Sequence, residues 1–161
     1  MTNSHRIRSS LPLVLALALA ATTVARAQIE EPRIPLQTKM SELTRFRTEY
    51  AENFNKKDIN AVVAMYSRDV IVVEPTGNVI KGIDGVRAWF TQGAANLPHL
   101  VIESDSMTVY GNTAVDVGTA KQHPAAGGEM VARYIVVLRR DLNGWKIVRL
   151  INTPVTTGGG M

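Results

Sequence analysis

Three side chains have the types and settings that acid–base or binding chemistry needs: Glu74, Tyr50 and Asp116. Glu74 ends a β-branched run, residues 70–73, and directly precedes Pro75. Among apolar walls the pKa of this carboxyl group would rise toward neutrality, where a carboxylate abstracts a proton next to a carbonyl most effectively. At an exposed turn the same residue is an ordinary acid. The sequence alone favours that second interpretation.

Tyr50 and Asp116 each have one functional and one structural interpretation. In an apolar cavity the Tyr50 hydroxyl would donate a hydrogen bond to a ligand, whereas packing within an apolar helix stripe is the simpler explanation. Asp116 alternates with two valines along a strand, so it shares a face with Ala114 and Gly118. These small neighbours leave room for a ligand, which makes Asp116 a second donor or polar anchor; on a solvated face it is a surface acid.

Two helices must position Tyr50, and apolar spacing predicts both. From about residue 38 to residue 56, apolar side chains recur every three or four residues: Met40, Leu43, Phe46, Tyr50 and Phe54. Asp58 can cap a second helix, whose expected buried face comprises Ile59, Val62, Val63 and Tyr66. The one-residue break at Lys57 indicates a helix pair.

A change to strand periodicity follows. Residues 70–73 predict a strand, the Pro-Thr-Gly-Asn run at 75–78 predicts a turn, and residues 79–80 return as a short hairpin. Residues 82–92 predict a third helix, and four long strands follow at about 99–109, 112–123, 129–140 and 144–153. Helices followed by an antiparallel meander predict an α+β domain over residues 38–155, between a loose arm at 28–37 and a flexible tail at 156–161.

The N-terminus has the form of a secretory signal. Residues 1–27 combine a basic start, an apolar run of about ten residues and the small-residue site Ala25-Arg26-Ala27. The apolar run is shorter than the roughly 20 residues that span a bilayer. We therefore expect cleavage after residue 27 and a secreted or periplasmic protein without a membrane partner.

Composition excludes several classes of function. Three of the 18 Lys and Arg residues lie in the signal, which leaves 15 against 14 acids, or +1, for the remaining chain. A net charge of +1 argues against nucleic-acid binding, which needs several cationic contacts to phosphate groups. The absence of cysteine excludes disulfides and thiol catalysis. His99 and His123 are expected at opposite ends of the sheet, so no metal site is predicted. No phosphate-binding loop or serine-nucleophile motif is present, and we expect no cofactor.

The chain resembles the nuclear transport factor 2-like superfamily, which includes ketosteroid isomerases, SnoaL-like polyketide cyclases and many exported domains. The resemblance covers residues 43–154 and is carried by four segments: residues 58–66, the Val-Glu-Pro-Thr-Gly turn at 73–77, residues 82–93, and residues 134–147 with their Asp-Leu-Asn-Gly-Trp run. It implies a cone-shaped fold in which helices pack on a curved antiparallel sheet. It also implies a homodimer formed through the outer face of the sheet.

Comparison with the ketosteroid isomerases implies roles for particular residues. Glu74 occupies the place of their catalytic aspartate, and Tyr50, eight residues before Asp58, that of their oxyanion-binding tyrosine. Val136 stands where those enzymes use a protonated aspartate, so this acid is missing. Loss of one of two oxyanion donors costs about 3 kcal/mol. Asp116, Trp89, Phe54 and Val136 are the expected ligand-binding residues.

Three functions remain open from the sequence. The first is a proton-transfer enzyme for a small apolar molecule, with Glu74 as base and Tyr50 as donor to the enolate oxygen. The second is a non-catalytic binding domain in which Glu74 only orients the ligand. The third is an oligomerising domain whose cone is filled by its own side chains.

Overall fold

The computed structural model describes residues 34–154, apart from residue 126 and the side chains of residues 95 and 154. Its elements are α1 (Leu36–Asn55), α2 (Ile59–Ala64), β1 (Tyr66–Val73), β2 (Val79–Lys81), α3 (Gly82–Gly93), a short 3-10 helix (Ala94–Asn96), β3 (His99–Tyr110), β4 (Thr113–His123), β5 (Met130–Asp141) and β6 (Gly144–Pro154). Within these residues no helix is long and apolar enough to cross a membrane. The predicted signal and tail lie outside the described residues.

The first helix begins earlier than predicted. Leu36 and Gln37, which were expected in the loose arm, form the first turn of α1. Pro35 occupies the N-cap position, and its carbonyl accepts a hydrogen bond from the Lys39 amide at 3.1 Å. Proline is well suited to a helix start because the first turn needs no N–H from it. The proline that indicated a loop therefore marks the beginning of the helix.

The second helix is capped as predicted but ends sooner. The Asp58 side chain accepts a hydrogen bond from the Ala61 amide at 3.0 Å, which confirms the N-cap. The helix stops at Ala64, so the prediction that Tyr66 belongs to its buried face is wrong. Tyr66 instead begins β1, because it pairs with Ile147 on β6. Long-range strand pairing has overridden the local helical spacing.

The sheet has the strand order β2-β1-β6-β5-β4-β3. The pairs from β3 to β6 form the predicted antiparallel meander, whereas β1 lies parallel to β6. The register shifts at three places: between Tyr66 and Ile71 of β1, between Ser104 and Ser106 of β3, and between Val137 and Leu138 of β5. Such bulges bend strands and increase twist, which gives the sheet a concave face. This mixed sheet with helices packed on it confirms the α+β class.

The core lies between the concave face and the helices. Phe90 of α3 is 1% exposed, and its ring lies 6.0 Å from that of Phe54 on α1 and 6.2 Å from that of Tyr66 on β1. These centroid distances are typical of packed aromatic pairs. One ring thus joins α1, α3 and the sheet.

A hydrogen bond between two phenols fastens α1 to the sheet. The hydroxyl groups of Tyr50 and Tyr66 lie 2.7 Å apart. Burial raises the pKa of Tyr50 to about 12, against the lowering effect of its bond to Tyr66. Burial, the charge of an ionised Tyr50 and their shared hydrogen bond raise the pKa of Tyr66 well above 10. Both phenols therefore stay protonated at neutral pH.

These raised pKa values predict a loss of stability in alkaline solution. Below pH 10 both phenols are protonated in the folded and the unfolded chain, so their ionisation leaves the free energy of unfolding unchanged. As the pH rises from about 10 toward 12, the phenols of the unfolded chain lose protons before those of the folded protein, which favours unfolding. In urea titrations we expect the free energy of unfolding to fall across this range, and less steeply for Tyr50→Phe.

The matched control is Tyr110→Phe, because Tyr110 is 67% exposed. This variant should keep the wild-type pH dependence. Equal slopes for Tyr50→Phe and the wild type would contradict the prediction.

Candidate functional site

A cavity of about 540 Å³ lies between the concave face of the sheet and helices α1 and α3. This volume falls within the range of small-molecule sites in proteins. Its walls are mainly apolar and include Phe46, Phe54, Trp89, Leu100, Ile102, Val136, Leu138, Ile147 and Leu150. The prediction of a cone filled by its own side chains therefore does not describe this structure.

One buried carboxylate interrupts the apolar wall. Asp116 of β4 is 3% exposed and lines the cavity. Its Oδ1 accepts a hydrogen bond from Ser104 Oγ at 2.5 Å, and its Oδ2 accepts from Arg47 Nη1 at 3.2 Å and from the Tyr134 hydroxyl at 3.3 Å. A buried charge needs such compensation, because its loss of hydration costs several kcal/mol. We call Asp116, Arg47, Ser104 and Tyr134 the Asp116 cluster.

Helical spacing brings Arg47 to the cluster. Arg47, Tyr50 and Phe54 lie three and four residues apart, so they share the face of α1 that borders the cavity. The Arg47 side chain is 24% exposed. Its long stem packs with this face while the guanidinium group reaches Asp116.

A glycine allows Tyr134 to reach Asp116. Tyr134 of β5 pairs directly with Gly118 of β4. A Cβ atom at Gly118 would lie 2.5 Å from the Tyr134 hydroxyl and would overlap the Glu103 carbonyl oxygen. Only glycine therefore lets the Tyr134 ring lie across β4 with its hydroxyl beside the carboxylate.

The bulge in β3 brings in Ser104. Ser104 pairs with Gly118 and Ser106 pairs with Val117, which leaves Asp105 without a partner position on β4. Asp105 forms an ion pair with Arg133, a neighbour of Tyr134 along β5. This contact holds the bulge in place while the Ser104 side chain donates to Asp116. β-Bulges commonly redirect side chains in this way.

The environment keeps the Tyr134 phenol protonated. Burial raises its pKa most, and the nearby Asp116 charge raises it further, against the opposing effect of Arg47. Tyr134 therefore remains a hydrogen-bond donor throughout the neutral range.

The structure brings five of the six predicted site residues to this cavity: Tyr50, Phe54, Trp89, Asp116 and Val136. Asp116 thus occupies the cavity-facing position that the alternation of β4 allowed. It also pairs directly with Val136, so a carboxylate stands beside the position where the resemblance implied a missing acid. The Tyr50 hydroxyl is engaged by Tyr66.

Glu74 lies outside this group. Among the described residues, Pro75 lines the cavity and Glu74 does not. Glu74 sits in the turn between β1 and β2, where its carboxylate accepts a hydrogen bond from Asn78 Nδ2 at 2.5 Å. Its backbone amide also bonds to the Asn78 carbonyl, at 2.9 Å. The turn therefore accounts for the bonding of this side chain.

Sequence reasoning missed Arg47, Tyr134 and Ser104. Arg47 had one usable signal, since it lies three residues before Tyr50 on the same helical face. The contact of Tyr134 with Asp116 can be predicted only once the pairing of Tyr134 with Gly118 is known. The contact of Ser104 with Asp116 depends on the bulge in β3, and no residue in the sequence of this strand predicts a bulge there. These contacts join positions between 12 and 69 residues apart in the chain.

The two histidines do not lie at opposite ends of the sheet, so that prediction is wrong. His99 and His123 are direct partners across β3 and β4, with ring centroids 6.4 Å apart. The start of one hairpin strand necessarily faces the end of the other. His123 Nε2 also lies 3.6 Å from Glu129 Oε2. Within the described part of the chain, no group of three potential ligands is arranged to hold a metal ion.

Solved structures with this fold are numerous. A domain of unknown function with a cystatin-like fold from Nostoc punctiforme is similar over 77% of this chain and 82% of its own, with a TM-score of 0.68 and 18% identity. A nuclear transport factor 2-like protein from Novosphingobium aromaticivorans has a TM-score of 0.67 and 18% identity over 77% of this chain and 86% of its own. For a ketosteroid isomerase-like protein from Erwinia carotovora atroseptica the TM-score is 0.60 and the identity 19%, over 73% and 97% of the two chains.

These likenesses confirm the fold. Comparison with curated proteins found no match. The family model of the SnoaL-like domain matches residues 48–150, which include the C-terminal part of α1 and the sheet with Asp116 and Tyr134. This chain belongs to the SnoaL-like domain family, and it has the fold of nuclear transport factor 2-like proteins.

Proposed function

We propose that this protein binds a small, mainly apolar molecule in the cavity, with the polar end of the molecule at the Asp116 cluster. The observation that carries the proposal is a buried, ion-paired carboxylate on the wall of an otherwise apolar cavity of about 540 Å³. Apolar walls supply affinity, and a few fixed polar groups supply orientation.

Stability alone does not account for the Asp116 cluster. Replacing a buried ion pair by well-packed apolar side chains is often neutral or stabilising, because the charges lose their hydration. Here the pair borders a cavity, so its polar atoms remain accessible to a molecule inside it. A binding role gives the cluster a function that packing does not.

Narrowing the cavity should weaken binding. Ala120 lies on the cavity wall, and Ala120→Phe would place a ring inside the cavity. We expect the wild type to bind the uncharged apolar dye Nile red, and this variant to bind it at least about tenfold more weakly, because the ring displaces ligand contacts. Dye fluorescence titrations measure both affinities.

Ala88→Phe is the matched control, since Ala88 is exposed on α3. It should leave the affinity unchanged. Equal weakening by both substitutions, or no dye binding by the wild type, would contradict the proposal.

We also propose a second function, cofactor-free proton transfer next to a carbonyl group, as the family resemblance implies. The observation that favours it is the position of Asp116: a carboxylate lies inside the cavity, within reach of a bound molecule. Asp116 is a better candidate base than Glu74, because Asp116 lines the cavity and Glu74 does not. Tyr50, protonated and on the cavity wall, would donate to the enolate oxygen.

Deuterium exchange into a panel of small apolar ketones tests this second function. We expect Asp116→Asn to lower the exchange rate by on the order of a hundredfold, the typical contribution of a positioned base. Glu74→Gln should keep the rate within about twofold of the wild type. The reverse pattern would assign the base to Glu74, and exchange at the uncatalysed rate by the wild type would exclude proton transfer.

We further propose that the protein acts after export and as a homodimer. The signal-like residues 1–27 support export. A dimer is supported by an apolar row that crosses four strands on the outer face, in the register Val73, Ile151, Ile135 and Val117. Ile135 and Ile151 are 45% and 41% exposed. Covering such a row removes apolar surface from water.

Light scattering after size exclusion tests the dimer. Ile135→Lys puts a charge in the middle of the row and should give a monomer at concentrations where the wild type is dimeric. Leu142→Lys is the control, because Leu142 is 96% exposed in the hairpin turn between β5 and β6. A monomeric wild type, or a dimer unaffected by Ile135→Lys, would refute this interface.

A further inference from the structure

We infer that Arg47, assisted by Asn152, recognises the polar end of the ligand and selects uncharged molecules that carry a hydrogen-bond acceptor oxygen. The inference rests on the proposed binding function and adds the chemical class of the ligand. Both residues line the cavity.

Most N–H donors of Arg47 make no hydrogen bond within the described part of the chain. A guanidinium group carries five N–H donors. In the described part of the chain Arg47 makes one hydrogen bond, from Nη1 to Asp116 at 3.2 Å. The ion pair with Asp116 fixes the planar group at the cavity wall, which leaves its other donors for a bound molecule.

Asp116 has few acceptor positions left. A carboxylate has about four lone-pair sites. Ser104, Arg47 and Tyr134 occupy three of them. A ligand that only donates hydrogen bonds therefore has at most one acceptor position available on Asp116. A ligand oxygen that accepts hydrogen bonds can bind to the remaining N–H donors of Arg47.

The charges of the wall favour an uncharged ligand. Among the described lining residues, Arg47 is the only cation and is paired with Asp116. The second acid, Glu129, is half-exposed near Gln122 and away from this pair. A ligand carboxylate would lose its hydration beside a cation that Asp116 already neutralises. A ligand ammonium would place its own donors against those of Arg47. A carbonyl or ether oxygen incurs neither cost.

Asn152 supplies a second donor beside the cluster. It pairs across the sheet with Tyr134, and its amide group makes no hydrogen bond among the described residues. Gln122 is another amide on the cavity wall, but it lies six residues along β4 from Asp116, or about 20 Å at the rise of a strand. Of the two amides, Asn152 is therefore the one that neighbours the Asp116 cluster, through its pairing with Tyr134.

Calorimetry with four naphthalene derivatives of similar size tests the inference: naphthyl methyl ketone, isopropenylnaphthalene, naphthoate and naphthylmethylamine. The ketone and the alkene differ only in an oxygen replaced by a methylene group. We expect the ketone to bind about tenfold more tightly than the alkene, and both charged compounds to bind more weakly than the ketone.

Two variants assign this preference to residues. Arg47→Lys keeps a cation beside Asp116 but removes the planar fork, and Asn152→Leu removes the second amide. Each should reduce the ratio of ketone to alkene affinity to below about threefold, with alkene affinity unchanged within about twofold. Gln122→Leu is the matched control and should keep the wild-type ratio.

The outcomes separate this inference from the function on which it rests. Equal binding of ketone and alkene would overturn the inference and leave apolar binding intact. Tightest binding of naphthoate or the amine, or loss of the ratio only in Gln122→Leu, would also overturn it. Binding of none of the four compounds would refute the proposed binding function together with the inference.

Discussion

The buried carboxylate of Asp116 is the constraint on which the arrangement of this domain depends. An isolated buried charge would cost several kcal/mol, so every oxygen of Asp116 must meet a donor. The three donors come from α1, β3 and β5. Their convergence requires α1 to lie where the Arg47 side chain reaches Asp116, requires β3 to bulge, and requires glycine at position 118. One charge thus couples local backbone geometry to the docking of a helix.

Polar contacts along α1 show how the cavity stays open beneath the helix. Near its N-terminus, Glu42 accepts hydrogen bonds from Trp145 Nε1 and Arg140 Nε, each at 2.9 Å. At its C-terminus, the Asn55 side chain bonds to both the backbone amide and the carbonyl of Leu100 on β3. These directional contacts fix the helix at both ends, so it need not collapse onto the sheet between them. The space that remains in the middle is the cavity.

Local patterns predicted most of this fold because they depend on near neighbours in the chain. Helical spacing and the Asp58 cap located α1 and α2, and alternation with turn residues located β3 to β6 to within one or two residues. The parallel pairing of β1 with β6 joins segments that are distant in the chain, and no local sequence pattern predicted it. The same limit applies to the site. Alternation along one strand is local, so the sequence offered a cavity-facing position for Asp116 as one of two alternatives, whereas the positions of Arg47 and Tyr134 depend on register and docking between elements.

The position of Asp116 changes what the family resemblance implies about chemistry. Its cross-strand partner Val136 stands where the ketosteroid isomerases have a protonated acid, a group that donates a hydrogen bond. A carboxylate on the neighbouring strand reaches the same cavity but is paired with Arg47, so it accepts hydrogen bonds instead. In the proposed binding function Arg47 would therefore supply the donor, and its guanidinium group does not lose a proton under ordinary conditions. An uncharged ligand oxygen would then be bound by fixed N–H donors, and preorganised donors of this kind stabilise an oxygen on which negative charge develops during reaction.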